Sequence, residues 1–150
     1  MNVVLFEPEI PQNTGNVART CAATGTALHL IKPLGFDLSD KYLKRAGLDY
    51  WQYLDLTIHE NFSDFNETCK PSRLWAVSTR GTKLYTDIEY QAGDYLLFGR
   101  ETAGLTEELY RDLPLLRIPM REDIRSINLS NSVALVLFEA LRQTGFEKLS

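Results

Sequence analysis

Val3-Val4-Leu5-Phe6-Glu7-Pro8-Glu9-Ile10-Pro11-Gln12-Asn13-Thr14-Gly15-Asn16-Val17-Ala18-Arg19 begins with four apolar residues in a row and then turns abruptly polar. The apolar run reads as a strand over residues 3–6, buried on both faces, and the Pro, Asn and Gly after it read as a loop. Asn13 or Thr14 supplies an N-cap for a helix running to about residue 24, and Gly25 supplies its stop. Ala18, Cys21, Ala22 and Gly25 give that helix a small-residue face suited to close packing. Strand, loop and helix in direct succession form the repeating unit of a parallel sheet.

The alternation recurs along the chain. Strands are predicted over residues 27–31, 54–58, 74–78, 95–98 and 115–118. Between them lie a short basic helix capped by Ser39, a weak helix over 63–69, and a helix opened by Thr106 with Glu107 and Glu108 in its first turn. The last helix covers 128–143 and stops at Gly145. An α/β fold follows, with a mostly parallel sheet flanked by helices on both faces. The last helix carries Leu129, Val133, Val136, Leu137, Ala140 and Leu141, with Leu135 and Phe138 on other sides. A helix apolar nearly all round must be covered on more than one face, so a homodimer is expected.

Residues 1–150 are expected to form a single domain, long enough to bury its own core. The 44% hydrophobic and 24% charged content is that of a globular protein. The N-terminus lacks the basic flank and cleavage site of a signal peptide, and no apolar run approaches the roughly 20 residues that span a bilayer. Cys21 and Cys69 stand far apart with no CxxC and no His pairing, which reads as reduced thiols in a cytoplasmic protein. His29 and His59 have no ligand-like spacing, so no metal is expected. A net charge of −4 argues by itself against nucleic acid. Its distribution is less simple: Lys41, Lys44 and Arg45 cluster, and Arg117, Arg121 and Arg125 recur every four residues.

Two further segments share the design of the first. They are Leu97-Phe98-Gly99-Arg100-Glu101-Thr102-Ala103-Gly104-Leu105, and Ile118-Pro119-Met120 running into Ser126-Ile127-Asn128-Leu129-Ser130-Asn131. Loops at strand ends are where open α/β sheets bind ligands, so three of them imply a site assembled from distant parts of the chain. No GxGxxG opens a helix. Gly99 and Gly104 have phosphate-loop spacing, but Leu105 stands where that loop needs its lysine. No Ser/His/Asp or Cys/His set is suggested.

Together the three segments resemble the SPOUT methyltransferases, specifically the minimal tRNA (cytidine/uridine-2′-O)-methyltransferases of the TrmL (YibK) type. That group's pattern is E-P-x-I-P-x-N-T-G-N-x-x-R, then F-G-x-E-x-x-G-L, then I-P-M…R-S-x-N-L-S-N, and each part is met here, with Arg125 opening the last run. Arg45-Ala46-Gly47-Leu48-Asp49-Tyr50 is a further similar stretch. The resemblance covers the whole chain and leaves no room for an added RNA-binding domain. It implies a C-terminal segment threaded into a deep trefoil knot, which periodicity does not show. It also implies S-adenosylmethionine, bent, in a site completed at a dimer interface. The substrate it implies is the wobble nucleotide of a tRNA anticodon stem-loop.

On that resemblance the cofactor-binding candidates are Val77, Ser78, Thr79, Gly99, Glu101, Gly104, Ile118, Met120, Ser126 and Leu129. Read physically, Val77, Ser78, Thr79, Gly99 and Ile118 stand at strand ends, where backbone groups can meet an adenine edge. Gly99 and Gly104 permit close backbone approach, or serve a simple turn. Ser126, Asn128, Ser130 and Asn131 offer more polar capacity than one helix cap uses. The substrate-binding candidates are Asn16, Arg19, Ser130 and Asn131, and the catalytic ones Arg19, Asn13 and Glu101. A sugar hydroxyl attacking a sulfonium methyl needs alignment and stabilisation of oxygen charge. Arg19 stays protonated, so a charge-assisted hydrogen bond to the developing alkoxide or nearby phosphate suits it better than a base role. Asn16 lies one turn earlier on the same face, Asn13 orients the loop, and Glu101 fixes a loop amide, positions Arg19 or acts as a base. Two alternatives stand beside this reading: a ribosomal-RNA ribose methyltransferase, and a catalytically silent RNA-binding SPOUT protein.

Overall fold

In the computed structural model of the chain, residues 1–39, 41, 50–147 and 149–150 are described. The elements are β1 (Asn2–Phe6), α1 (Pro11–Thr24), β2 (Ala27–Ile31), β3 (Leu56–His59), α2 (Phe62–Cys69) and β4 (Leu74–Val77). They continue with β5 (Lys83–Leu84), β6 (Tyr95–Phe98), α3 (Glu107–Tyr110), β7 (Leu115–Arg117) and α4 (Leu129–Gln143). Among the described residues seven strands form one sheet in the order β3-β2-β1-β6-β4-β7-β5, with every neighbouring pair parallel. The carboxyl ends of β1, β4, β6 and β7 therefore point the same way, and the loops leaving them crowd one edge of the sheet.

Alternate residues of the strands supply two apolar layers. Val3, Leu5, Leu28, Leu30, Leu96 and Leu116 pack with Val17 and Cys21 of α1 and with Val133, Val136 and Leu137 of α4. On the opposite face Val4, Ile31, Leu74, Ala76 and Leu97 pack under Phe65 of α2, with Leu109 of α3 beside them. Burying a side chain of this size stabilises by roughly 1.5–3 kcal/mol, so each helix is held by its own layer.

Several local expectations are corrected. Neither Asn13 nor Thr14 caps α1: Ile10 is the N-cap without a side-chain bond, and Pro11 begins the helix, where its missing N–H costs nothing. Both polar residues instead lie buried in the first turn. Thr106 precedes α3 but makes no side-chain cap. α2 is opened by Asn61, whose side chain accepts the Asp64 amide. The two-residue β5, too short to register as an apolar run, completes the sheet edge. Ser39 folds onto Asp37 through its amide and hydroxyl at 2.7 and 2.6 Å. The basic helix expected after it, with Lys44, Arg45 and the stretch 45–49, lies outside the described residues.

The apolar residues of α4 divide between core and surface. Val136 is fully buried in the core of its own chain, whereas Leu135 and Phe138 are 44% and 46% exposed. The apolar stripe left uncovered is 135/138.

Candidate active site

The three motif segments meet at one place, and carboxylates join the first two. Glu101, in the loop after β6, accepts the amides of Glu9 and Ile10 at 2.8 and 3.1 Å and the Asn13 side-chain amide at 3.2 Å. It thereby does for the N-terminus of α1 what Ile10 cannot: it caps the helix from 91 residues away. Glu9 reciprocates by accepting the Thr102 amide and hydroxyl at 2.9 and 2.8 Å. Those hydrogen bonds hold the Glu9 carboxyl below its ordinary pKa. Glu7 pairs with Arg100 alongside.

The third segment joins through Asn13. Its carbonyl oxygen accepts from the Asn128 side-chain amide at 2.9 Å. The Asn128 side-chain oxygen caps α4, accepting the Ser130 amide at 2.9 Å. Arg125 donates to the Thr102 carbonyl at 2.8 Å. One polar chain, Glu101–Asn13–Asn128, thus links the N-termini of α1 and α4 to the loop after β6.

The glycines of that loop have different reasons. Arg100 and Gly104 exchange two backbone hydrogen bonds, at 3.2 and 2.9 Å, and close residues 100–104 into a tight ring. Gly104 takes φ +65°, a left-handed conformation that favours glycine. At Gly99 the constraint is space: a Cβ would stand 2.3 Å from the Gly104 carbonyl carbon.

Beside these loops, at the carboxyl ends of β4, β6 and β7, lies a cavity of about 440 Å³. Asn13, Val77, Ser78, Thr79, Gly99, Glu101, Gly104, Ile118, Met120, Ser126 and Leu129 line it, so every predicted cofactor residue is brought there. Arg80, Thr102 and Asn128 also line it, and none of them was among the predicted site residues. Arg125 was visible in the every-fourth arginine series; Arg80 carried no signal. Arg80 donates to the Tyr110 hydroxyl at 2.7 Å.

The predicted substrate residues are placed elsewhere. Asn16, Arg19, Ser130 and Asn131 do not line the cavity. Arg19 is exposed on α1, donates to the Tyr50 hydroxyl at 2.9 Å, and stacks 4.6 Å from that ring's centre. Glu101 does not position Arg19; its three donors come from the loop and Asn13, which fits the anchoring reading and leaves little room for a base.

One further expectation is overturned. The absence of a Cys–His pairing held only in sequence, because Cys69 lies 3.8 and 3.9 Å from ring nitrogens of His29 and His59.

Comparison with known proteins places this geometry. The chain matches the SpoU rRNA methylase family over residues 1–138. It is 52% identical over 148 residues to the tRNA (cytidine(34)-2′-O)-methyltransferase of Saccharophagus degradans, covering 97% of this chain and 96% of that one. It superposes with a TM-score of 0.92 on a structure solved for insight into 2′-OH methylation of C/U34 on tRNA, at 50% identity and 95% coverage of both chains. An AdoMet-bound rRNA methyltransferase from Sinorhizobium meliloti superposes at 0.85 with 29% identity, over 94% of this chain and 55% of that one.

Proposed function

The chain belongs to the SpoU rRNA methylase family, and from that premise we propose that it methylates the 2′-hydroxyl of the wobble nucleotide, cytidine or uridine 34, of tRNA, with S-adenosylmethionine as donor. The observation that carries this is full-length identity of about half to a relative named for that reaction, with the cavity intact. S-adenosylmethionine would supply an electrophilic methyl on a sulfonium. The cavity fits such a molecule: about 440 Å³, within the usual range for ligand pockets, and lined by residues at the carboxyl ends of β4, β6 and β7 together with the apolar Met120 and Leu129.

Val77, Ser78, Thr79, Gly99, Gly104 and Ser126 would bind the donor, while Glu101 and Asn128 hold the loops in shape. Arg19 acts on the acceptor by a charge-assisted hydrogen bond to the developing alkoxide or its phosphate. Because Arg19 lies outside the cavity of its own chain, the proposal has it serve the cavity of a second copy docked along the exposed 135/138 stripe. A homodimeric, single-domain, C-terminally knotted cytoplasmic enzyme is part of the same reading.

The test is transfer of labelled methyl from S-adenosylmethionine to an anticodon stem-loop and to the same RNA with a 2′-deoxynucleotide at position 34. Label on the first and none on the second is expected. Equal labelling would move the target, and label on ribosomal RNA alone would favour the ribosomal alternative.

A further inference from the structure

On the sheet face away from α1 and α4, three side chains with no part in the cavity converge beneath α2. His29 comes from β2, His59 from the end of β3, and Cys69 from the last turn of α2. His29 and His59 are 7% and 1% exposed, and Cys69 is half-buried at the rim. Their donor atoms form a nearly isosceles triangle: Nδ1 of His29 to Nε2 of His59 is 3.1 Å, and the Cys69 sulfur is 3.8 and 3.9 Å from those nitrogens. We propose that His29, His59 and Cys69 are a binding site for one divalent transition-metal ion of the zinc class.

The triangle is the right size. With metal–nitrogen bonds near 2.0–2.1 Å and metal–sulfur near 2.3 Å, a tetrahedral ion needs edges of about 3.3 Å between nitrogens and about 3.6 Å from nitrogen to sulfur. Each observed edge is within a few tenths of an ångström of its target. Two imidazoles and a thiolate are also the donor set that such ions prefer over magnesium or calcium, which take oxygen.

Neighbouring side chains flank the cluster on both sides. Asp64 Oδ2, which accepts the Glu60 amide at 2.9 Å, stands 3.9 Å from His59 Nδ1, on the side of the ring away from the triangle. Phe65 and Tyr95 pack against His29 at ring separations of 5.9 and 5.6 Å and shield the centre. Three protein ligands leave a fourth position for water, and the half-buried Cys69 marks the way in. An ion here would tie α2 to two strands of the sheet without touching the methyl-transfer cavity.

The experiment uses the full chain, stripped with a chelator and titrated with Co²⁺, then with Zn²⁺ in competition. One equivalent of Co²⁺ should give a thiolate-to-cobalt charge-transfer band in the near ultraviolet, displaced by Zn²⁺. Cys69→Ser should abolish the band, and His59→Gln should weaken binding by at least about tenfold. Zn²⁺ should raise the melting temperature of the parent chain and not that of Cys69→Ser. Cys69→Ser is conservative at a half-buried position, and circular dichroism verifies its fold. A folded parent chain with no band and no melting shift would identify a hydrogen-bonded cluster of the core and overturn the proposal, as would a band that survives Cys69→Ser. Neither outcome bears on tRNA methylation, which is read separately.

Discussion

The loop edge of the sheet and the outer surface of α1 and α4 share the first and third sequence motifs, yet they are built in opposite ways. At the loop edge the polar side chains are consumed within the chain: Glu101, Glu9, Asn13 and Asn128 all have partners from another segment. On the helix surface Arg19 reaches, among the described residues, Tyr50, while Leu135 and Phe138 are exposed. Under the proposed function, one chain holds the donor pocket whole and the acceptor surface only in part. A motif residue's conformation is informative only once its partners are known.

The contrast breaks most sharply at Arg19. Arg19→Ala should lower methyl transfer by about 10²–10³, the usual loss for one oxyanion-type donor, with little change in S-adenosylmethionine affinity by calorimetry. Parallel loss of both would place Arg19 in the donor pocket after all. Next comes Val136→Asp, which puts a carboxylate at a fully buried position of the core. It should cost several kcal/mol and unfold the chain in denaturant titrations, not merely dissociate it.

Leu135→Asp combined with Phe138→Asp should instead leave a folded monomer, visible by sedimentation. Its transferase activity should fall about as far as that of Arg19→Ala, since both changes withdraw the same acceptor group. A fully active monomer would confine the whole site to one chain. The smallest effect is expected for Glu101→Gln, which keeps the shape but weakens bonds to the Glu9 and Ile10 amides. Hydrogen bonds to a charged group contribute about 1.5–3 kcal/mol, and thermal unfolding should register a loss within that range.

The parts of this architecture that were legible in sequence are those with local causes. Residues 27–31 and 95–98 match β2 and β6 because apolar runs and flanking turns decide them. The start of α1 was misread because its cap comes from Glu101, and no local pattern can announce a partner 91 residues away. That the cofactor candidates share one cavity was foreseeable because they sit in recognisable loops at strand ends. The His29–His59–Cys69 cluster was not, since ligands 30 and 40 residues apart have no motif until β2, β3 and α2 are stacked.

Subunit complementation tests the division between pocket and surface most directly. Gly99→Ala forces a Cβ against the Gly104 backbone and should disable the donor pocket while sparing Arg19. Each variant alone should be nearly inactive as a folded dimer. Exchanging subunits between Gly99→Ala and Arg19→Ala should restore up to about a quarter of parent activity, because half the dimers are then mixed and each mixed dimer has one intact site. Mixtures in which exchange is verified but activity stays at the level of the single variants would contradict the shared site.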